Sequence, residues 1–229
     1  MKRRYILALA GATLLLMLAP AAATAADATT VTVRVEGKTR TLLAPATVQT
    51  HTGSITKGGA PAGGCPATSG AGALDAATRH RWSGKFFSSF SDYEISTILG
   101  DAESGKSYYW GIWIDDRYAT TGACGLKLHR GDRLLFAVDS VARHEHPLAM
   151  IAPRSARAGH TFSVKVEWFS DAGVGKPLAG VRVHVGGTVG VTNSHGTVRF
   201  VDSHAGTLVL RADRAGYIRA APVSVRVSA

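Results

Sequence analysis

Short segments in which apolar and polar residues alternate recur along the chain and constrain its fold more than any other feature. In the first of them, Val31, Val33 and Val35 point to one face, and the polar residues between them point to the other. A period of two residues is typical of a half-buried β-strand. Beyond residue 155, about seven such segments are separated by turns roughly every eight to twelve residues, which is the pattern of a β-sandwich.

The first half of the chain adds a single predicted helix to this strand pattern. Residues 57–72 are rich in Gly, Pro and Ala and predict a loop. Ser69 then offers a helix N-cap, and Leu74 and Ala77 share one face of a helix predicted to run from Ser69 to Trp82. Strands before and after one helix, with that helix over one face of a mixed sheet, indicate an α+β fold of the β-grasp type.

These patterns predict a mainly β protein with two domains. The β-grasp-like domain is expected over residues 27–140, a linker with two prolines over residues 141–154, and an all-β sandwich over residues 155–229. A chain of 229 residues is expected to form one or two domains, at about 100–200 residues per domain.

The N-terminus has the features of a secretory signal peptide. Residues 2–4 are basic, residues 5–19 are uncharged and largely apolar, and Ala23 and Ala25 form an A-x-A cleavage site. The apolar run is too short for a membrane span, which needs about 20 residues, and no second apolar run follows. We expect cleavage after Ala26, no transmembrane segment, and a secreted protein.

The charge of the chain bears on whether it binds nucleic acid. The formal net charge is +10, but the basic residues are scattered, whereas a nucleic-acid site needs them clustered on one face. We therefore expect no nucleic-acid binding.

The two cysteines, Cys65 and Cys124, suggest one disulfide bond in an oxidising compartment. Two free thiols or a metal-binding pair remain the alternatives.

An aromatic strand at residues 108–114 is the most distinctive segment of the first half. Period two places Trp110 on the inward face, toward the predicted helix, and Tyr109 and Trp113 on the opposite face. Gly111 separates the two outward aromatic side chains and leaves a shallow gap between them. Exposed aromatic side chains beside such a gap suit an apolar or planar ligand.

The sequence therefore identifies Tyr109, Trp113 and Tyr118 as candidate ligand-binding residues. Two alternatives for the outward face stay open. Its side chains would cover the second face of the sheet against residues 86–90, or they would contact the neighbouring domain.

Two motifs could in principle bind a nucleotide or a metal, but their sequence context favours ordinary structural segments. Residues 100–107 match the phosphate-loop pattern G-x-x-x-x-G-K-[ST], but a strand composition follows where nucleotide binding needs a helix. We therefore interpret them as a hairpin turn. His144 and His146 would share one face of an extended segment. Zinc sites use three or four protein ligands, and this segment offers two. We therefore interpret it as a linker without a metal site.

The remaining polar residues do not indicate catalysis. Asp115, Asp116 and Asp132 are typical of polar turns more than of a calcium site. No G-x-S-x-G nucleophile motif occurs, and two cysteines joined in a disulfide leave no Cys–His dyad. We predict no enzymatic activity, no catalytic residues, no metal and no cofactor.

The second half resembles the carboxypeptidase regulatory-like modules and related bacterial Ig-like modules. The matching segments are GKPLAGVRV at residues 175–183, TNSHGTV at residues 192–198, and RAGYI at residues 214–218. Leu208 stands near a position that is usually aromatic in the family. The resemblance implies an Ig-like or prealbumin-like sandwich and an accessory role.

The first half is similar to the transcobalamin-like C-terminal domain, also known as a domain of unknown function in exported bacterial proteins. The matching segments are YWGIWIDD at residues 109–116, GAC at residues 122–124, and LHRGDRLLF at residues 128–136. The resemblance implies a β-grasp-like fold over residues 30–140. In cobalamin carriers a helical barrel supplies the other half of the binding site, and no such barrel is evident in this sequence.

These observations favour a secreted, non-catalytic protein that binds an unidentified small molecule or cell-surface component. A small-molecule carrier of corrinoid type is one alternative. A structural or adhesion accessory module is the other.

Overall fold

The computed structural model describes residues 27–102 and 105–229, which form β-sheets and one α-helix. The predicted signal peptide, residues 1–26, lies outside the described residues, as do residues 103 and 104 of the segment that matches the phosphate loop. The predicted fold class, mainly β with one helix, is confirmed. No helix in the described ranges is long and apolar enough to cross a membrane.

The elements divide into an N-terminal and a C-terminal half. The N-terminal half contains β1 (Thr30–Glu36), β2 (Thr41–Gln49), a 3-10 turn (Lys57–Gly59), α1 (Gly70–Thr78), β3 (Trp82–Phe87), β4 (Asp92–Ile98), β5 (Asp101–Ala102), β6 (Tyr108–Ile114), β7 (Arg117–Tyr118) and β8 (Arg133–Ser140). The C-terminal half contains β9 (His146–Ile151), β10 (Ser155–Arg157), β11 (Thr161–Phe169), β12 (Gly175–Pro177), β13 (Arg182–Val185), β14 (Thr188–Val191), β15 (Thr197–Val201), β16 (Gly206–Asp213), β17 (Tyr217–Ile218) and β18 (Val223–Ser228).

The main N-terminal sheet has the strand order β2-β1-β8-β6-β7. β1 pairs antiparallel with β2 and parallel with β8, and β8 pairs antiparallel with β6. The chain thus leaves an N-terminal hairpin, passes through α1, and returns a late strand beside the first one. This is the β-grasp arrangement. The inward valines Val31, Val33 and Val35 are buried beneath the helix, as the alternation predicts.

The helix is shorter than predicted because the backbone turns left-handed immediately after it. Arg79 has φ 51° and His80 has φ 64°, so α1 ends at Thr78, and Trp82 begins β3 instead of ending the helix. The first turn of α1 consists of small residues that approach neighbouring backbone. A Cβ at Gly72 would overlap the carbonyl oxygen of Ala67, which shows why glycine is needed there.

A small second sheet, β3-β4-β5, packs beside the main N-terminal sheet. It contains the aromatic segment at residues 86–92. The segment forms the end of β3, the turn and the start of β4. The strand β6 follows the phosphate-loop-like segment, so a strand stands where a phosphate site needs a helix.

The C-terminal half consists of two packed sheets. One has the order β10-β18-β16-β13-β14, and the other has the order β12-β11-β9-β17 with β15 also paired to β11. A single apolar cluster that includes Val164, Val166, Val183, Leu210 and Val225 fills the space between them. This is a β-sandwich, as the repeated alternation predicts.

The predicted linker, residues 141–154, is not an irregular segment throughout. His146–Ile151 forms β9, which pairs antiparallel with β11 and parallel with β17 inside the second sandwich sheet. Leu148 and Met150 are buried in the sandwich core. The proline at position 147 is compatible with this strand because it stands near its start. Only residues 141–145 separate β8 from β9.

Candidate functional site

The outward face of β6 is covered by the C-terminal half. Trp113 is only 1% exposed and forms a small apolar cluster with Leu135, Ala137 and Ile218. Ile218 belongs to β17 of the C-terminal half, so this cluster joins the two halves; we call it the seam cluster. Of the alternatives for the outward face, contact with the neighbouring domain is the one observed, and residues 86–90 do not contribute to the cluster.

The gap predicted at Gly111 is filled by a side chain of the same strand. A Cβ on Gly111 would lie 2.6 Å from Cη2 and 2.7 Å from Cζ3 of Trp113. The indole therefore lies across the glycine, and no open slot remains there. The open gap predicted beside Trp113 is therefore absent, and its side chain is enclosed by protein on both sides.

Tyr109 and Tyr118 lie next to the seam cluster and are only half-buried. The Tyr109 hydroxyl donates a hydrogen bond to Oδ2 of Asp139 at 2.7 Å, and the Tyr118 hydroxyl lies 3.5 Å from the Tyr109 oxygen. Burial, and then the hydrogen bonds to Tyr118 and Asp139, raise the pKa of Tyr109 above its usual value. Tyr109 therefore remains a neutral hydrogen-bond donor at physiological pH.

A cleft of about 380 Å³ opens where β4 faces β6 and β7. We call it the aromatic cleft. Its wall includes Tyr93, Tyr109, Trp110, Ile112, Tyr118 and Thr120. Trp110 is 7% exposed, and its indole Nε1 has no hydrogen-bond partner within the described ranges. The cleft thus has several aromatic side chains in its wall, which is typical of small-molecule sites, and the Trp110 N–H itself is shielded from solvent.

A cluster of histidine and aspartate side chains lies beside the seam cluster. His144 Nδ1 hydrogen-bonds to Oδ2 of Asp139, which is fully buried at the end of β8. The other nitrogen, His144 Nε2, lies 2.9 Å from Oδ1 of Asp171. His146 Nδ1 lies 3.5 Å from the same Asp171 oxygen. Burial lowers the pKa of His144, but the hydrogen bond to Asp171 and the charge of Asp139 outweigh it and raise this pKa.

Three aromatic side chains hold the two histidine rings in place. The His144 ring stacks on Trp113, with centroids 5.9 Å apart and an interplanar angle of 10°, and meets Tyr118 edge-on at 4.8 Å. The His146 ring lies 4.9 Å from Trp168. Contacts on several sides restrict how far either imidazole can turn.

A buried ion cluster joins the halves at another point of the seam. Glu36 is 1% exposed and accepts hydrogen bonds from Arg34 and from Arg219 of the C-terminal half, each at 3.2 Å. Burial raises the pKa of Glu36, although the charges of Arg34 and Arg219 act against this. Burial likewise lowers the pKa of Arg34, against the charge of Glu36.

Cys65 and Cys124 form a disulfide bond, as predicted. It joins the glycine-rich loop before α1 to the loop after β7. The carboxylate of Asp92 accepts hydrogen bonds from the backbone N–H groups of Cys124 and Gly125, which fixes the second loop. A larger cleft of about 950 Å³ borders this region. Its wall reaches Asp27, the first residue that the structure describes, and His129 is the only aromatic side chain among the described residues of the wall.

The aspartates considered as calcium ligands are used in turns. Asp115 and Asp116 both form ion pairs with Arg133, at 3.3 Å and 2.8 Å. Asp132 accepts the backbone N–H of His129 at 2.6 Å. These contacts support the interpretation of polar turns.

Sequence reasoning missed Asp139 and Asp171. Asp139 directly follows the apolar run LLFAV of β8, and a carboxylate at the end of such a run is the one signal that points to it. Asp171 lies in a turn of the sandwich, and nothing in its local sequence distinguishes it from other turn aspartates. The structure brings both to His144 from opposite halves of the chain.

Comparisons with known proteins do not identify a function. No protein-family model matches the chain, and no curated protein matches it. Among solved structures, it is similar to the solution NMR structure of the CARDB domain of a protein from Pyrococcus furiosus, at 16% identity and a TM-score of 0.26. The similarity covers 36% of this chain and 94% of that one. At this level the likeness carries no argument about what the protein does.

Proposed function

We propose that the protein is a secreted, non-catalytic binding protein whose ligand site is the aromatic cleft. The observation that supports this most directly is the wall of the cleft, which includes the side chains of Tyr93, Tyr109, Trp110 and Tyr118. The N-terminal sequence pattern and the disulfide between Cys65 and Cys124 support secretion, because disulfides persist in oxidising compartments.

The wall of the cleft suggests the chemical class of the ligand. Tyrosine and isoleucine side chains favour a planar or apolar body, since such surfaces gain most from being removed from water. With about 380 Å³, the cleft is near the lower end of small-molecule sites, which span roughly 300–1,000 Å³.

The resemblance of residues 109–136 to the transcobalamin-like C-terminal domain makes a corrinoid the second probe to try. A corrinoid carrier is the alternative function with a specific feature behind it. In either case the sandwich would serve as a spacer or a second contact surface, as its resemblance to accessory modules suggests.

Nuclear magnetic resonance of the indole N–H groups tests the proposal. The purified protein is titrated with 2-naphthol as the planar probe and, in a separate arm, with hydroxocobalamin. We expect one probe to shift the Trp110 indole signal saturably, while the Trp168 signal in the sandwich stays in place. The variant Trp110→Phe assigns the signal.

A blocking variant provides the control for this experiment. Thr120 is exposed at the cleft wall, so Thr120→Phe should fill the opening without disturbing the core and should weaken probe binding at least tenfold. Thr207→Phe makes the same change on an exposed position of β16 and should leave binding unchanged. Absence of saturable binding of either probe below about 1 mM, or equal binding by both variants, would contradict the proposal.

A further inference from the structure

We propose that His144, His146 and Asp171 form a binding site for one divalent transition-metal ion, such as zinc, at the seam between the two halves. The inference does not depend on the ligand function of the aromatic cleft. It revises the prediction of no metal site, because the sequence shows two neighbouring histidines and the fold supplies the third ligand.

The three donor atoms converge at distances suited to a shared ion. His144 Nε2 and His146 Nδ1 lie 2.9 Å and 3.5 Å from Oδ1 of Asp171, and all three donors lie within 4.8 Å of one another. Two ligands on a tetrahedral ion with bonds of about 2.0–2.1 Å are about 3.3–3.4 Å apart. Small side-chain rotations would therefore bring the three donors around one ion.

His144 is oriented by a buried carboxylate, as metal-binding histidines usually are. Asp139 hydrogen-bonds to Nδ1, so the opposite nitrogen, Nε2, is the one that faces Asp171 and His146. Asp139 is itself held by the Tyr109 hydroxyl and by the backbone N–H groups of Ser140 and Glu145. A carboxylate–histidine pair of this kind sets the tautomer of the ring and raises its strength as a ligand.

His146 presents the nitrogen that needs a partner. Its Nδ1 atom is buried and has no hydrogen-bond partner anywhere in the part of the chain that the structure describes. Asp171 Oδ1, at 3.5 Å, is too far for a good hydrogen bond. Since buried polar atoms in folded proteins are almost always paired, an unpaired ring nitrogen beside two other donors points to an ion.

The surroundings hold the donors in place and leave a path from solvent. Trp113 stacks on the His144 ring, and Trp168 packs on the His146 ring, so both imidazoles are positioned before an ion arrives. Asp171 is 58% exposed in its side chain, which gives an ion access and lets the third ligand adjust.

The donor set decides the class of metal. Two imidazoles and one carboxylate suit zinc and neighbouring first-row ions, whereas magnesium and calcium prefer oxygen ligands throughout. Three protein ligands leave a position for water. His146 and Asp171 belong to the sandwich, whereas His144 lies between β8 and β9 and is hydrogen-bonded to Asp139 of β8. An ion held here would therefore link the segment after β8 to the sandwich.

Calorimetric titration of the purified, chelator-treated protein with zinc chloride tests the site. We expect one ion per chain with micromolar or tighter affinity, and a cobalt absorption spectrum that shows nitrogen and oxygen ligation. Asp171→Asn should weaken binding at least tenfold. Asp139→Asn, a change in a positioning residue, should weaken it by about 10- to 100-fold. Zinc should also raise the unfolding temperature of the wild type and not of His146→Gln.

Three controls accompany this test. Asp171 is exposed enough that Asp171→Asn should fold normally, which near-ultraviolet circular dichroism checks. His204→Ala removes a histidine that is 91% exposed in its side chain, and it should bind zinc as the wild type does. No saturable zinc binding below about 1 mM, or binding that Asp171→Asn and His146→Gln leave unchanged, would overturn the site. Thr120→Phe should leave zinc binding intact, so failure of the cleft and failure of the metal site are distinguishable.

Discussion

The contact between Gly111 and Trp113 makes a quantitative prediction about the seam. With Trp113 present, the methyl group that Gly111→Ala adds would lie 2.6 Å from the indole ring of Trp113. Carbon atoms in contact are normally about 3.5–4.0 Å apart. The ring would have to move by about 1 Å. It has no room to do so, because Tyr118 packs against it at 5.1 Å and Ile218 covers it from the other half. We expect a loss of about 1–3 kcal/mol in the free energy of unfolding.

The same substitution should have the opposite effect when the indole is absent. Trp113→Ala alone should cost about 3–5 kcal/mol, as expected for truncating a fully buried tryptophan. In that background the methyl of Gly111→Ala enters space that the ring has left. Since alanine is favoured over glycine inside a strand by roughly 0.5–1 kcal/mol, the second change should be neutral or stabilising. The double-mutant cycle should therefore show a coupling energy of about 1–4 kcal/mol.

Urea unfolding followed by far-ultraviolet circular dichroism measures all four corners of this cycle. Gly187→Ala is the matched control, because a Cβ at Gly187 meets no atom within 4 Å, and it should change stability by less than about 0.5 kcal/mol. If the two substitutions are additive, or if Gly111→Ala costs no more than Gly187→Ala, the indole does not lie across the glycine, and this account of the seam is refuted.

Two further predictions concern stability in the N-terminal half. Replacing both Cys65 and Cys124 by alanine opens a loop with a sequence separation of 59 residues, and should lower the free energy of unfolding by about 4 kcal/mol in urea. Burial opposes ionisation of Asp75, but hydrogen bonds from Trp82 and Lys57 outweigh it and lower the pKa of Asp75. The stability from this carboxylate is therefore present above about pH 4 and lost as the pH falls through the lowered pKa. Between pH 6 and pH 2, the unfolding temperature should fall less for Asp75→Asn than for the wild type. An equal fall in both proteins would contradict this role of the Asp75 carboxylate.

The strand pattern shows which parts of a fold local sequence can specify. Alternation alone assigns Val31, Val33 and Val35 to an inward face, and they are buried in the N-terminal core. The single helix is also evident from its sequence, although its predicted end lies several residues too far along the chain. Helix ends depend on backbone turns such as the left-handed Arg79 and His80, which the composition of the segment does not reveal.

Local sequence patterns did not predict the structure of the linker or the surroundings of Trp113. Residues 141–154 contain two prolines and look like a boundary, yet β9 begins at His146 because it completes a sandwich sheet with β11 and β17. Alternation places Trp113 correctly on the outward face of β6, but it does not say which element will cover that face. The pairing of distant segments decides both outcomes.

By itself, the amino-acid sequence determined the mainly β class, the single helix, the faces of β1 and β6, and the one disulfide pairing that two cysteines allow. These depend on local spacing, or on there being only two cysteines to pair. The tertiary structure alone decided that Ile218 covers Trp113, and that Asp139 and Asp171 meet at His144. The two-residue period of a strand sets the face on which a side chain lies. Which residue packs against that side chain depends on segments far apart in the chain. A site built from two halves becomes visible only when both have folded.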